Sequence, residues 1–342
     1  MITKKQIFIF ASVLLFLIKS IIYSQNIYVV SKEKGAKFRS IQSALDQIKD
    51  DKVVSFIYIK NGIYKEKLYI VKNNIVIIGE SREETKIEYA ELRKNWVAKN
   101  NTDYGSAVIN INKNLENISF INLTVNNNYG NANGDHDHAF TIRSFENTTR
   151  IIIDNCSIIS EGGDALSLWS FSDGMFYHNN CFFEGYVDFV CPRGYCYIEN
   201  SKFFGHNLTA AIWHDGSFDE RLKFVIKNCR FDGVVGFPLG RFHWDAQFYL
   251  LSCRFSKNMK DKTIFFAPSK PPRTLKWGEN RIYFSDCTKD GEQYEWYKDN
   301  LVGINSEDIT PEWTFNNIWN PKEELKQIYS NFRELQKLIS LK

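Results

Sequence analysis

A short phrase recurs along this chain and limits how it can fold. It reads F-I-N-L-T-V at 120–125, D-N-C-S-I-I at 154–159, N-N-C-F-F-E-G at 179–185 and E-N-S-K-F-F-G at 199–205. It continues as K-N-C-R-F-D-G at 227–233 and L-S-C-R-F-S at 251–256, with a weaker S-D-C-T-K at 285–289. Taking Asn122, Cys156, Cys181, Ser201, Cys229, Cys253 and Cys287 as the recurring position, the intervals are 34, 25, 20, 28, 24 and 34 residues. Phrases repeating at that scale mark a repeat architecture. Short β-rich phrases with variable insertions fit an all-β fold, a single-stranded right-handed parallel β-helix, in which each coil pairs with its neighbours.

The same repeat accounts for the cysteines. Seven are present, an odd number, and most fall on one position of the phrase. Stacked coils would line them up as an internal ladder, where free Cys behaves as a small hydrophobe. Elements at the two ends read differently. Phe38, Ile41, Ala44, Leu45 and Ile48 follow helical spacing behind Ser40, a candidate N-cap, and predict an N-terminal capping helix. Strands are expected at 27–30, 53–60, 63–71 and 74–78, and a C-terminal helix over 322–341 that covers an end or a side of the coil.

Lys4 and Lys5 precede an apolar run from Ile7 to Ile18, and Ser24 follows, so residues 1–24 read as a signal peptide. Residues 25–342 are then expected to form one exported domain, secreted, periplasmic or at the cell surface. No second long apolar run follows, so no membrane span is expected in the mature chain. The formal net charge is +3, which argues against a nucleic-acid partner but leaves Lys and Arg free to line a groove for an acidic polymer. The expected assembly is a monomer.

Two carboxylates follow two of the phrases at nearly equal distance. Asp164 lies eight residues after Cys156, and Asp188 seven after Cys181. On neighbouring coils they would sit side by side, about 4.8 Å apart at the backbone. Gly162-Gly163-Asp164 alone is ordinary turn chemistry. Val187-Asp188-Phe189 is not, because an Asp between apolar neighbours in a strand has to face something polar. Asp135-His136-Asp137-His138 could begin a metal site, but one H-x-H without a further placed ligand is a weak signal, and no metal or cofactor is expected. His214-Asp215 reads as a turn pair.

With these residues assembled, the chain resembles the pectin methylesterases over nearly all of residues 25–342. I-Y-V-V-S, F-R-S-I-Q-S-A-L, F-I-Y-I-K-N-G-I-Y-K-E and L-E-N-I-S-F-I-N-L-T are similar to the opening blocks of that family. G-Y-V-D-F-V-C resembles its V-D-F-I-F-G segment, F-P-L-G-R its arginine block, and E-W-T-F-N-N-I-W-N-P its C-terminal tryptophan motif. The resemblance implies a parallel β-helix that removes methyl esters from galacturonate in pectin without a cofactor. It implies Asp188 as nucleophile, Asp164 as general acid and then base, and Arg241 as the cation that keeps Asp188 ionised. Two family glutamines that donate to the oxyanion are replaced, by Gly163 and by His138, and His138 is expected to present an N–H in their place. Trp169, Trp213, Phe242, His243 and Trp244, with Gly163, are the expected substrate-facing positions. A non-catalytic glycan-binding β-helix or a polysaccharide lyase on the same fold are the competing expectations.

Overall fold

The computed structural model describes residues 27–340. The signal peptide expected at 1–24 lies outside the described residues, as does the end of the terminal helix at 341. The chain winds as a right-handed parallel β-helix of three sheets, and every strand pairing is parallel. The first sheet has ten strands, from Ile27–Val30 to Ile282–Ser285, and the second has nine, from Gly62–Tyr64 to Thr288–Lys289. The third is split into four strands, Leu68–Ile70 to Leu166–Ser167, and three, Ile212–Trp213 to Phe265–Phe266. Isolated bridges Leu166↔Val190 and Val190↔Ile212 join the two parts.

The corner between the first and second sheets explains the repeated phrase. Asn122, Asn155, Asn180, Asn200 and Asn228 all take a left-handed conformation there, with φ from 50° to 56°. Asn tolerates that region because its short amide finds local hydrogen bonds. Here the amides bond along the coil axis: Asn155 donates to Asn122 at 2.8 Å, Asn180 to Asn155 at 3.0 Å and Asn228 to Asn200 at 2.6 Å. Asn122 therefore belongs to this asparagine ladder. The register Ser157↔Thr124 sets Leu123, not Asn122, beside Cys156. The expected first rung of the cysteine ladder was one residue off, because the asparagine that turns the corner was taken for the residue that follows it.

The ladder itself runs Cys156, Cys181, Ser201, Cys229, Cys253 and Cys287 through the register of the second sheet. Its five cysteines are free thiols, each Sγ donating to the carbonyl two residues back, as Cys156 does to Asp154 at 3.2 Å, and the Ser201 hydroxyl donates to Glu199 in the same way. Cys191 and Cys196 stand off the ladder. Behind it the coil is filled by in-register phenylalanines, with ring centroids of Phe183 and Phe203 at 5.1 Å, Phe203 and Phe231 at 4.3 Å, and Phe231 and Phe255 at 5.8 Å.

The capping helix is real but short, Ile41–Leu45, with the Ser40 hydroxyl accepting from Ser43 N–H. Ile41, Ala44 and Leu45 close the open end of the core. The strand expected at 63–71 is two, Gly62–Tyr64 and Leu68–Ile70, because the chain turns a corner between them. The terminal helix Pro321–Ser340 does not cap the coil. It lies along the outer face of the first sheet, where Leu325, Ile328, Phe332 and Leu335 pack with Phe56, Tyr58 and Val76. A helix that was not foreseen, Arg93–Asn100, leaves the coil next to His138.

Burial raises the thiol pKa of Cys156, Cys181, Cys229 and Cys253, that of Cys181 to about 12. Buried, protonated thiols are inert. A thiol reagent on native protein is therefore expected to label half-buried Cys287 first and the other six only after denaturation. Mass spectrometry that finds disulfides among them in the native protein would overturn the ladder.

Candidate active site

The corner between the second and third sheets sets the two carboxylates. Asp164 and Asp188 are both left-handed, with φ of 55° and 49°. The bridge Leu166↔Val190 fixes a register that puts Asp164 opposite Asp188 on the next coil. Asp164 N–H donates to Val187 carbonyl at 3.0 Å and Asp188 N–H to Ala210 carbonyl at 2.9 Å, so backbone bonds hold both turns. A left-handed non-glycine residue costs roughly 1–2 kcal/mol. Strain of this kind persists where the surrounding ladder over-determines it, and it gathers at functional sites.

Arg241 enters from the strand Gly240–Phe242 two coils on. Its Nε stands 3.1 and 3.2 Å from the two Asp188 oxygens and its Nη2 2.8 Å from Oδ2, a forked pair. Burial pushes the Asp188 carboxyl up to about 6, and the Arg241 pair opposes the rise without cancelling it. Arg241 thus limits the rise and favours the ionised form of Asp188. Burial also raises Asp164, against the charges of His138, Arg193, Arg143 and Arg241. The pair is left with one forked carboxylate and one carboxyl that has cations near it but no fork.

His138 lies beside this pair. It bridges Gly163, with Ala139 N–H on Gly163 carbonyl at 3.1 Å and Gly163 N–H on Asp137 carbonyl at 3.2 Å. That close pairing explains the glycine. A Cβ at 163 would stand 2.8 Å from Val187 Cγ1 and 3.0 Å from Val187 carbonyl oxygen, so no side chain fits there without a shift. His138 Nδ1 is 2.6 Å from Asp137 Oδ1, with 43% of the His138 side chain exposed. If Asp137 holds the Nδ1 proton, Nε2 is an acceptor in the neutral ring and a donor only in the imidazolium. Asp135 and Asp137 turn to Lys94, at 2.6 and 3.8 Å.

The expected substrate-facing residues divide. Phe242 is 2% exposed and packs in the core against Phe248 and Phe266, so it offers no face to a ligand. This corrects its expected role: its neighbour Arg241 takes the outward turn of the alternating strand. Trp213 is buried as well, 4% exposed. Trp169 has cations near its ring, Arg143 at 4.4 Å and Arg193 at 3.9 Å. Trp244 is half-open, with Arg273 over its ring at 4.0 Å. His243 sits edge-on to Trp213, and burial lowers it to about 4, so it is neutral. His214 is a core residue bonded to Gly194 carbonyl, and Asp215 accepts from Ser217, so they form no catalytic dyad. Sequence reading overlooked Arg143 and Arg193. For Arg143 the signal was available, a cation ending the strand-like run Phe140-Thr141-Ile142, whereas Arg193 stands between Pro192 and Gly194 and reads as a turn residue.

A family model, Pectinesterase, matches residues 27–235, more than half of the chain. The chain belongs to the pectinesterase family. The matched span includes Asp164 and Asp188 and ends before Arg241. Putative pectinesterase 14 of Arabidopsis thaliana is 26% identical over 273 residues, 74% of this chain and 76% of that protein. Pectinesterase 4 of the same plant is 27% identical over 214 residues, and the match spans only 34% of its length. Among solved structures, pectin methylesterase PemA of Erwinia chrysanthemi aligns with a TM-score of 0.69 at 19% identity, over 86% of this chain and 97% of its own. The carrot pectin methylesterase aligns at 0.64 and 18% identity, over 82% and 89%. At these identities the structures establish the pectinesterase β-helix and no more.

The contact at Gly163 leads to a direct expectation. Gly163→Ala should lower unfolding stability by about 1–3 kcal/mol, the usual cost of overpacking. Denaturant unfolding of the two proteins measures it. A neutral effect would mean that the coil at Val187 opens freely and that an amide could have been accommodated.

Proposed function

We propose that this pectinesterase hydrolyses methyl esters of galacturonic acid in a pectin-like acidic polysaccharide. The observation that carries the reading is the forked Asp188–Arg241 pair beside Asp164 on adjoining coils. A hexasaccharide complex of a structurally similar pectin methylesterase supports a sugar-chain ligand for the groove. The Asp188 carboxylate attacks the ester carbonyl carbon, and Asp164 gives its proton to the departing methoxide, which leaves as methanol. The acyl-enzyme is a mixed anhydride on Asp188. Asp164, now ionised, takes a proton from water as its oxygen attacks the anhydride, which releases the uronic acid and restores both carboxyl groups. Splitting the reaction this way lowers each barrier. Raised by burial, Asp164 suits the acid role. Arg241 holds Asp188 in one orientation, which a fork does and a lysine cannot. Export, with residues 1–24 as its signal, fits a polymer substrate outside the cell.

Asp188→Asn and Asp164→Asn should each cut methanol release from methylated pectin at least ~100-fold, the scale of a lost acid–base group, with the fold kept. In the native enzyme, turnover should rise with pH through about 6, because Asp188 attacks only when ionised. Either asparagine variant, folded and fully active, would sink the mechanism.

His138 is the proposed oxyanion donor. With Nδ1 held by Asp137, only its imidazolium offers an Nε2–H. His138→Gln, whose amide can donate from a similar place, should keep much of the activity. His138→Ala should cost roughly 10²–10³-fold in kcat, the measured scale for one oxyanion donor. Undiminished kcat in the alanine variant would remove His138 from the chemistry. A native protein that binds pectin fragments yet releases no methanol would favour the glycan-binding reading, which the loss of both amide donors makes the nearest rival.

A further inference from the structure

Arg193 is held in an unusual way. Its guanidinium carbon stands 3.9 Å from the Trp169 ring centre and 4.4 Å from that of Trp213. Among the described residues its head makes no hydrogen bond. Its ion-pair contact, Asp215 Oδ2, is 3.8 Å from Nε, and Nη1 is buried without a partner. Beside it, Trp213 Nε1 is also buried without an acceptor. A buried Nη1 without a partner is costly because its N–H groups have left water, while the side chain as a whole keeps 19% of its surface open. Ring contacts return part of that cost but use the face of the guanidinium, not its edge. The edge is what remains for a ligand, and a guanidinium edge matches a carboxylate bidentately.

Position narrows the choice of anion. Arg193 bridges Trp169 on one coil and Asp215 on the next, facing the same groove as the carboxylate pair. Its charge acts on both Asp164 and Asp188. Yet its backbone lies two residues beyond the row of Cys191, Trp213 and Arg241, about 6–7 Å further along the strand. That is beyond the ester held at Asp188 and in reach of the next sugar. We propose that Arg193 recognises a free carboxylate on a uronate adjoining the one whose ester is cleaved, with Trp169 and Trp213 as its clamps. The two tryptophans then serve the arginine rather than stack on sugar. This rests on the esterase reading for its substrate, but not on catalysis for its test.

The experiment compares full-length native protein with Arg193→Gln and Arg193→Lys on two methylated oligogalacturonates of equal length, one fully esterified and one partly de-esterified. Removing a charge-assisted pair costs roughly 10–100-fold in affinity. Arg193→Gln should lose about that factor in kcat/KM on the partly de-esterified oligomer, through KM, over and above any smaller loss on the fully esterified one, where only its charge on Asp164 and Asp188 is removed. Arg193→Lys, charged but without the fork, should recover only part of the loss. Equal losses on both substrates would assign Arg193 a structural role. A fall in kcat on the fully esterified oligomer with KM unchanged would make it an oxyanion donor. Either result overturns the proposal. Calorimetric binding of unesterified oligogalacturonate, native against Arg193→Gln, separates this from the esterase reading. Binding weakened by the substitution in a protein that releases no methanol would keep Arg193 and discard the esterase, while unchanged binding would discard Arg193.

Discussion

Everything in this molecule depends on parallel strands stacking in register, coil on coil. Each strand bonds to one neighbour before it and one after, so a residue's companions lie tens of positions away in sequence. The register is held at the first corner by left-handed asparagines whose amides bond to one another along the axis. Inside, cysteine stacks on cysteine and phenylalanine on phenylalanine. A slip of one residue would turn every side chain of a strand to the opposite face. Asp164 and Asp188 would then no longer face each other, so the coil's packing and its chemistry rest on the same constraint.

Within that frame the site is a contest between burial and charge. Removing two neighbouring carboxyl groups from water raises both, and the cations around them push back. Asp188 has a forked partner in Arg241, while Asp164 has only charge at a distance. Two like groups on like turns thus have unlike partners.

The surroundings differ from what an amide-lined pocket would be. A Cβ at Gly163 would crowd Val187 on the following coil, while on the preceding coil Gly163 pairs with His138. On the far side of the floor, the rings of Phe140, Trp169 and Trp213 alternate with Arg143 and Arg193. Such a stack places fixed positive charge in a groove at the cost of flat surfaces for sugar. It suits a polymer that carries charge of its own.

The repeated phrase, the cysteines and the spacing of Asp164 and Asp188 were legible in the sequence, because a coil makes its periodicity visible along the chain. The capping serine and the terminal helix could be read from local pattern, and Arg241 from the resemblance of F-P-L-G-R to a family motif. Local pattern did not reveal which residue of F-I-N-L-T-V stood on which ladder, since that depends on which residue each meets on the next coil, Asn155 for Asn122 and Cys156 for Leu123. Nor did it reveal that Phe242 turns inward, or that Trp169 and Trp213 close on Arg193. Those outcomes depend on contacts between coils twenty or more residues apart. The sequence by itself determined the coil and its two carboxylates, through short-range spacing. The tertiary structure alone decided which charges surround them, because burial and partnership exist only once the coils are stacked.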